Sequence, residues 1–122
     1  PDRAPSPPEG AIAHMDRRMG RMVELMQSHM DEPLPMERLC QLSGLDTSTG
    51  RRLIRKHFGV TPGQYYRGLR LERARRTLYY SALPIGEVAV QAGFADASAF
   101  ARAYRRHFGQ LPSHDRQTRE QS

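Results

Sequence analysis

The segment GLDTSTGRRLIRKHFGVTP at residues 44–62 returns as GFADASAFARAYRRHFGQLP at residues 93–112. Arg52, His57, Phe58, Gly59 and Pro62 lie fifty residues before Arg102, His107, Phe108, Gly109 and Pro112. Pro35, Cys40 and Gly44 lie forty-nine residues before Pro84, Ala89 and Gly93, so one extra residue falls in the turn between the two registers. An internal repeat of this length is the mark of a duplicated supersecondary unit, and two copies make a pseudo-symmetric domain rather than a solenoid. Each half of a 122-residue chain can bury only a modest core, which leaves one compact domain or two small lobes sharing a helix.

The periodicity between these landmarks is helical throughout. Met15, Met19, Met22, Val23, Met26 and Met30 recur at helical spacing from Ile12 onward, with Arg17, Arg18, Arg21 and Glu24 between them; the pattern predicts a first helix ending near Asp31, with the methionines as core. Pro35 starts a second helix, carried by Met36, Leu39, Cys40 and Leu42 and stopped at Ser43 and Gly44. Cys40 aligns with Ala89 and is expected to be a small packed residue. A third helix, capped by Thr47 or Ser48, runs to about Phe58 with Leu53, Ile54 and Phe58 on its packing face. Gly50 falls on that face opposite Phe100 of the second copy and predicts a thinner core there.

Thr61, Pro62, Gly63 and Gln64 form a T-x-x-Q capping box that opens a long fourth helix to about Tyr79, roughly 27 Å at 1.5 Å per residue. Ile85, Val88, Ala89 and Ala92 give a fifth helix ended by Gly93. Asp96 caps a sixth whose packing face is Phe100, Ala103, Tyr104 and Phe108, and Pro112 and Ser113 open a short seventh. The expected fold is all-α, seven helices, with two helix-turn-helix subdomains joined by a long linker helix. The boundaries follow: residues 1–11 a disordered, proline-rich interdomain linker, 12–60 the first subdomain, 61–80 the linker helix, 81–116 the second subdomain and 117–122 a flexible tail.

Charge points to the partner. The chain carries 19 Lys and Arg against 13 Asp and Glu, a net charge of +6, and Lys56 is its single lysine. Guanidinium grips phosphate or a guanine edge with two parallel hydrogen bonds, so an arginine excess favours nucleic acid. Residues 47–82 hold nine basic side chains against Glu72 alone, whereas residues 1–46 are net acidic. One cysteine excludes an internal disulfide framework, and no apolar run approaches the roughly 20 residues of a membrane span. With no secretory signal, a cytoplasmic protein without membrane association is expected.

A short helix, a glycine-containing turn and a second helix with one apolar and one basic face is the helix-turn-helix pattern, whose second helix enters the major groove. Here it occurs twice, with Ser48, Arg51, Arg52 and Arg55 on the open face of the first and Ser98, Ala101, Arg102 and Arg105 on that of the second. Two such helices read one face of a duplex when they lie roughly 34 Å apart, a span compatible with the linker helix, so one chain could engage two successive major grooves. A slightly short spacing would require bent DNA.

The runs PMERLCQLSGL, RRLIRKHFGVTPGQYYRGLRLERARRTL, IGEVAVQAGFADASAFARAYRRHFG and LPSHDR resemble the DNA-binding domain of the AraC/XylS family of bacterial transcription regulators, over residues 15–116. The resemblance implies base reading by Ser48, Arg51, Arg52, Ala97, Ser98, Ala101 and Arg102, and phosphate contact by Thr47, Arg55, Lys56, Arg105 and Arg106. Ala97 and Ala101 depart from the longer polar groups common there, although alanine can contact a thymine methyl. YYRGLRLERARRTL further resembles members with an amidotransferase-like (DJ-1-like) N-terminal domain, which regulate amino-acid or quaternary-amine catabolism.

The reading that follows is sequence-specific binding of double-stranded DNA by a bacterial transcription regulator, an activator. Its expected partners are RNA polymerase and a small-molecule effector acting through a missing N-terminal domain, with a monomeric fragment and a dimeric full-length protein expected. The alternative is a basic protein-interaction module docking an acidic partner such as RNA polymerase. A third reading, alkyl-repair chemistry at Cys40, finds no supporting His/Asp/Glu cluster, so no catalytic residue, metal ligand or cofactor is assigned. His57 and His107 lie in separate lobes and are expected as charge partners or surface groups. Of Arg73, Arg75 and Arg76, two are expected to be solvated or packed along their stems.

Overall fold

The computed structural model describes residues 17–121. Among these it is all-helical, with seven helices: α1 Arg17–Ser28, α2 Met36–Ser43, α3 Thr47–Phe58, α4 Pro62–Tyr80, α5 Ile85–Gln91, α6 Ala97–Phe108 and α7 Pro112–Glu120. The expectations for residues 1–11, for the first turn of the opening helix and for Met15 lie outside the described residues. The chain divides into two compact units, Pro1–Leu69 and Arg70–Ser122, so the boundary falls inside α4 rather than on either side of it. The first half of α4 is the fourth helix of one unit and its second half the first helix of the other. Each half packs into a different core, so no single apolar stripe runs the length of α4.

In the first unit the methionine stripe is core. Met19, Met22, Met26 and Met30 are buried with Val23, Leu39, Cys40, Ile54, Tyr65 and Leu69. α1 stops at Ser28, short of the expected Asp31. The Ser28 hydroxyl donates back to the Glu24 carbonyl at 3.0 Å, and the His29 ring lies 2.9 Å from the Leu25 carbonyl, so side chains occupy the last carbonyls in place of a further turn. Met30 still reaches the core from beyond the helix end.

The next clasp comes from α4. The Tyr66 hydroxyl donates to the His29 carbonyl and accepts from Leu34 N at 3.1 Å, fixing the loop between α1 and α2.

Gly50 corrects an expectation. It leaves no thin place: a Cβ there would meet Cys40 Sγ at 2.7 Å, the Met22 terminal methyl at 3.0 Å and that of Met36 at 3.3 Å. α3 approaches α1 and α2 so closely at this point that their sulfur-containing side chains fill the space a larger residue would take. The second unit solves the same volume with the sizes exchanged, Phe100 standing opposite Gly50 and Ala89 opposite Cys40 in the alignment, both buried in its core.

The second unit buries Leu71, Ala74, Leu78, Val88, Ala89, Ala92, Phe100 and Tyr104. Its clasp sits at the residue equivalent to Tyr66: Arg116 donates to the carbonyls of Leu78 at 3.0 Å, Leu83 at 2.7 Å and Ser81 at 3.2 Å, securing the loop after α4. α7 runs on to Glu120, three residues past the expected start of a flexible tail at 117. Its last turn is engaged: the Arg119 guanidinium lies 5.6 Å from the Tyr79 ring centre and 5.8 Å from that of Tyr80.

Candidate nucleic-acid interface

The turn is built the same way in both units. After α2, Leu45 N donates to the Cys40 carbonyl at 2.9 Å and Gly44 N to that of Gln41 at 3.3 Å, with Gly44 at φ 73°. After α5, Phe94 N donates to the Ala89 carbonyl and Gly93 N to that of Val90, both at 3.0 Å, with Gly93 at φ 82°. This paired closure satisfies the orphan carbonyls of a helix end and requires a left-handed residue, which is why glycine stands at both places. The extra residue of the second copy falls between this closure and the following cap.

The recognition helices start on acidic caps. Asp96 accepts from Ala99 N at 2.8 Å, as expected. In the first unit the cap is Asp46 and not Thr47 or Ser48: its carboxylate accepts from Thr49 N at 2.8 Å and from the Thr49 hydroxyl at 3.0 Å. Those bonds, with the backbone contribution first, hold the Asp46 carboxyl below its ordinary value, and the Arg52 charge acts in the same direction. The sequence carried the signal, because Asp46 lies fifty residues before Asp96. At the other end Gly59 (φ 74°) and Gly109 (φ 85°) close α3 and α6 onto the carbonyls of Arg55 and Arg105.

These caps fix which side chains face out. On α3, Ser48, Arg51, Arg52, Arg55 and Lys56 are exposed and Thr47 is half-exposed, while Gly50 and Ile54 are buried. On α6, Ala97, Ser98, Arg102, Arg105 and Arg106 are exposed and Ala101 is half-exposed, with Phe100 and Tyr104 fully buried. Every residue proposed for DNA contact thus lies on the open side of its helix. None of Arg51, Arg52, Arg55, Lys56, Arg102, Arg105 or Arg106 is held by a hydrogen bond or ion pair to another described residue. Arg55, Lys56, Arg105 and Arg106 also lie in the last turns, where cations complement the helix dipole.

Other arginines are committed inside the second unit. Arg70 donates to the Gly93 carbonyl at 3.1 Å and lies 4.5 Å over the Phe94 ring, bracing the turn. Arg75 lies 4.6 Å over Phe108 and bonds the Tyr79 hydroxyl at 2.7 Å, whereas Arg73 and Arg76 are exposed. His107 faces Glu72 at 3.4 Å and His57 is exposed, so the two histidines have different surroundings. The Cys40 thiol is 1% exposed, and burial pushes its pKa up, which keeps it protonated and a poor nucleophile.

A helix-turn-helix domain family model matches residues 39–118. The fold superposes with a TM-score of 0.81 on a transcriptional regulator of the AraC-type DNA-binding domain-containing proteins from Chromobacterium violaceum, at 31% identity over 85% of this chain and 93% of that one. This chain belongs to the AraC-type helix-turn-helix family. Among its AraC-type relatives, it is 33% identical to the HTH-type transcriptional activator RhaS of Escherichia fergusonii over 88% of this chain and 38% of that protein. It is 34% identical to the HTH-type transcriptional regulator CdhR of Pseudomonas aeruginosa over 83% of this chain and 30% of that protein. The chain therefore spans well under half the length of these curated relatives. A further AraC-type fold match, at TM-score 0.79 and 26% identity over 84% of this chain and 93% of that one, is the DNA-binding domain of the global transcriptional factor AdpA, solved in complex with a target DNA.

Proposed function

We propose that this chain is the sequence-specific, double-stranded DNA-binding part of a bacterial transcription activator, with α3 and α6 entering successive major grooves. The observation that carries the reading is the pair of recognition helices whose exposed faces hold arginines with no hydrogen bond or ion pair to a described residue, at the same place in each duplicated unit. Ser48, Arg51, Arg52, Ala97, Ser98, Ala101 and Arg102 read bases; Thr47, Arg55, Lys56, Arg105 and Arg106 meet phosphate. Support comes from family membership and from the neighbour solved on its target DNA. In this reading the protein works in the cytoplasm, has no catalytic role and contacts RNA polymerase when bound. Effector binding and dimerisation belong to other parts of such regulators, as the greater length of the relatives suggests.

Selection of bound duplexes from a random library supplies the test. Arg52→Ala and Arg102→Ala each weaken the selected site by about 1 to 3 kcal/mol and affect random DNA less. Equal losses on both would demote these arginines to phosphate contacts. If no duplex outcompetes random DNA at physiological salt while an acidic polymerase subunit binds, the protein-docking alternative takes its place.

A further inference from the structure

The two recognition helices are held by different chemistry. Position 115 of the second unit corresponds to Tyr65 of the first. Tyr65 is fully buried, stacks on Phe58 with ring centres 4.2 Å apart, and its hydroxyl has no partner among the described residues. α3 is therefore held at its C-terminal end by apolar contact, and near its N-terminal end, at Gly50, by the flexible methionines Met22 and Met36.

Asp115 is 3% exposed and is the hub of a polar network. It accepts from the Tyr104 hydroxyl of α6 at 2.5 Å, the Tyr79 hydroxyl of α4 at 2.9 Å and Gln110 Nε2 at 3.0 Å. Arg75 of α4 supplies the counter-charge, 3.4 Å from the second carboxylate oxygen, and lies over Phe108 of α6. The C-terminal half of α6's packing face is thus tied, through Tyr104 and Phe108, to α7 and α4 by directional, charge-assisted contacts, which constrain a helix's rotation more than apolar packing does.

The difference matches what each helix presents. Arginine side chains on α3 are long and can reach a base edge from a somewhat misplaced helix. Ala97, Ser98 and Ala101 on α6 are short, so any contact they make with a thymine methyl or base edge depends on where the backbone lies.

We propose that Asp115 is a positioning residue that sets the pose of α6 for base discrimination, and that Arg75 and Tyr104 act with it. The proposal rests on α6 being a reading helix. Tyr104 and Asp115 touch no base themselves.

The test uses the whole chain with Asp115→Asn, and with Tyr104→Phe as the milder variant that deletes a single hydroxyl of the network. In the free protein, backbone amide exchange is followed along both recognition helices. The amides of α6 should exchange faster by about tenfold in Asp115→Asn, less in Tyr104→Phe, with α3 unchanged. On the duplex the parent selects, discrimination against substituted base pairs should fall by about tenfold under α6 and less than about twofold under α3. Unchanged exchange in α6, or equal acceleration in both helices, overturns the positioning role. So does faster exchange with unaltered discrimination under α6. If the parent prefers no duplex, the DNA reading itself fails, while the exchange measurement still decides whether Asp115 holds α6; without a base to read, the discrimination role falls with it.

Discussion

Replacing Gly50 by alanine sets two effects of opposite sign against each other. Glycine inside a helix costs about 1 kcal/mol relative to alanine, so on propensity alone Gly50→Ala should stabilise the protein. The new methyl, however, would lie 2.7 Å from Cys40 Sγ, 3.0 Å from the Met22 methyl and 3.3 Å from the Met36 methyl. The two methionine ends can swing away at small cost. Cys40 has one side-chain torsion and is 1% exposed, so relief at its sulfur requires α2 and α3 to separate. Overpacking of this kind costs about 1 to 3 kcal/mol, which outweighs the propensity gain and leaves a net loss of about 1 kcal/mol.

In urea that corresponds to a midpoint lower by about 0.5 M for a slope of about 2 kcal/mol per molar. The companion variant is Cys40→Ala, which places the residue found at Ala89 of the second unit and vacates the contested volume. Alone it should cost about 1 kcal/mol as a small cavity. Combined with Gly50→Ala the costs should not add, with a favourable coupling of at least about 1 kcal/mol. A Gly50→Ala protein that melts above the parent, or strict additivity in the double variant, would show that the packing argument is wrong.

Three further outcomes follow from the clasps and caps. Tyr66→Phe removes the hydroxyl shared by His29 and Leu34 and should lower stability by about 1 to 2 kcal/mol, whereas Tyr65→Phe removes a buried hydroxyl with no partner among the described residues and should be neutral or stabilising by up to about 1 kcal/mol; urea midpoints that rank the two the other way refute the assignment. Arg116→Ala strips donors from three carbonyls and should cost about 2 to 4 kcal/mol, read as a midpoint shift with unchanged slope. The Asp46 carboxyl titrates below its ordinary 3.8 in the folded protein, so its ionic contribution is complete above that value and fades as pH falls through the lower folded pKa. The stability gap between parent and Asp46→Ala should accordingly narrow below pH 3.8, and a gap that widens on acidification would reverse the sign.

The helices, the glycine closures at Gly44 and Gly93, the Asp96 cap and the T-x-x-Q box were legible in the sequence because each is decided by residues within a turn of one another. In the box, Thr61 N donates to the Gln64 amide oxygen at 2.9 Å and Gln64 N to the Thr61 hydroxyl at 3.2 Å, as the motif requires. The outward faces of α3 and α6 were legible for the same reason, since burial follows the helical period. What the sequence did not disclose depends on partners far along the chain. The Asp115 network joins residues up to 40 positions apart, and the filling of the Gly50 site depends on Met22, Met36 and Cys40 from two other helices. A glycine opposite a phenylalanine reads as missing volume until the neighbours that supply the volume are in place. Asp46 is the exception, a local cap that comparison of the two copies would have found.

The duplication also separates residues kept for the fold from residues kept for something outside it. Gly59 and Gly109 recur because both recognition helices end in a left-handed residue, and Pro62 and Pro112 because both following helices begin there. Phe58 and Phe108 recur because both pack against their unit's core. Where the fold needs only a job done, the side chain has changed: Tyr66 and Arg116 secure the loop after the first helix of their unit with different groups, since the loop carbonyls need any donor at all. Arg52 and Arg102 fit neither group. Both are exposed, neither is held by a hydrogen bond or ion pair to a described residue, and no backbone conformation or core volume demands arginine at those sites. The same guanidinium at the same place on both recognition helices fits the proposed reading, in which a phosphate or guanine edge outside the molecule is its partner.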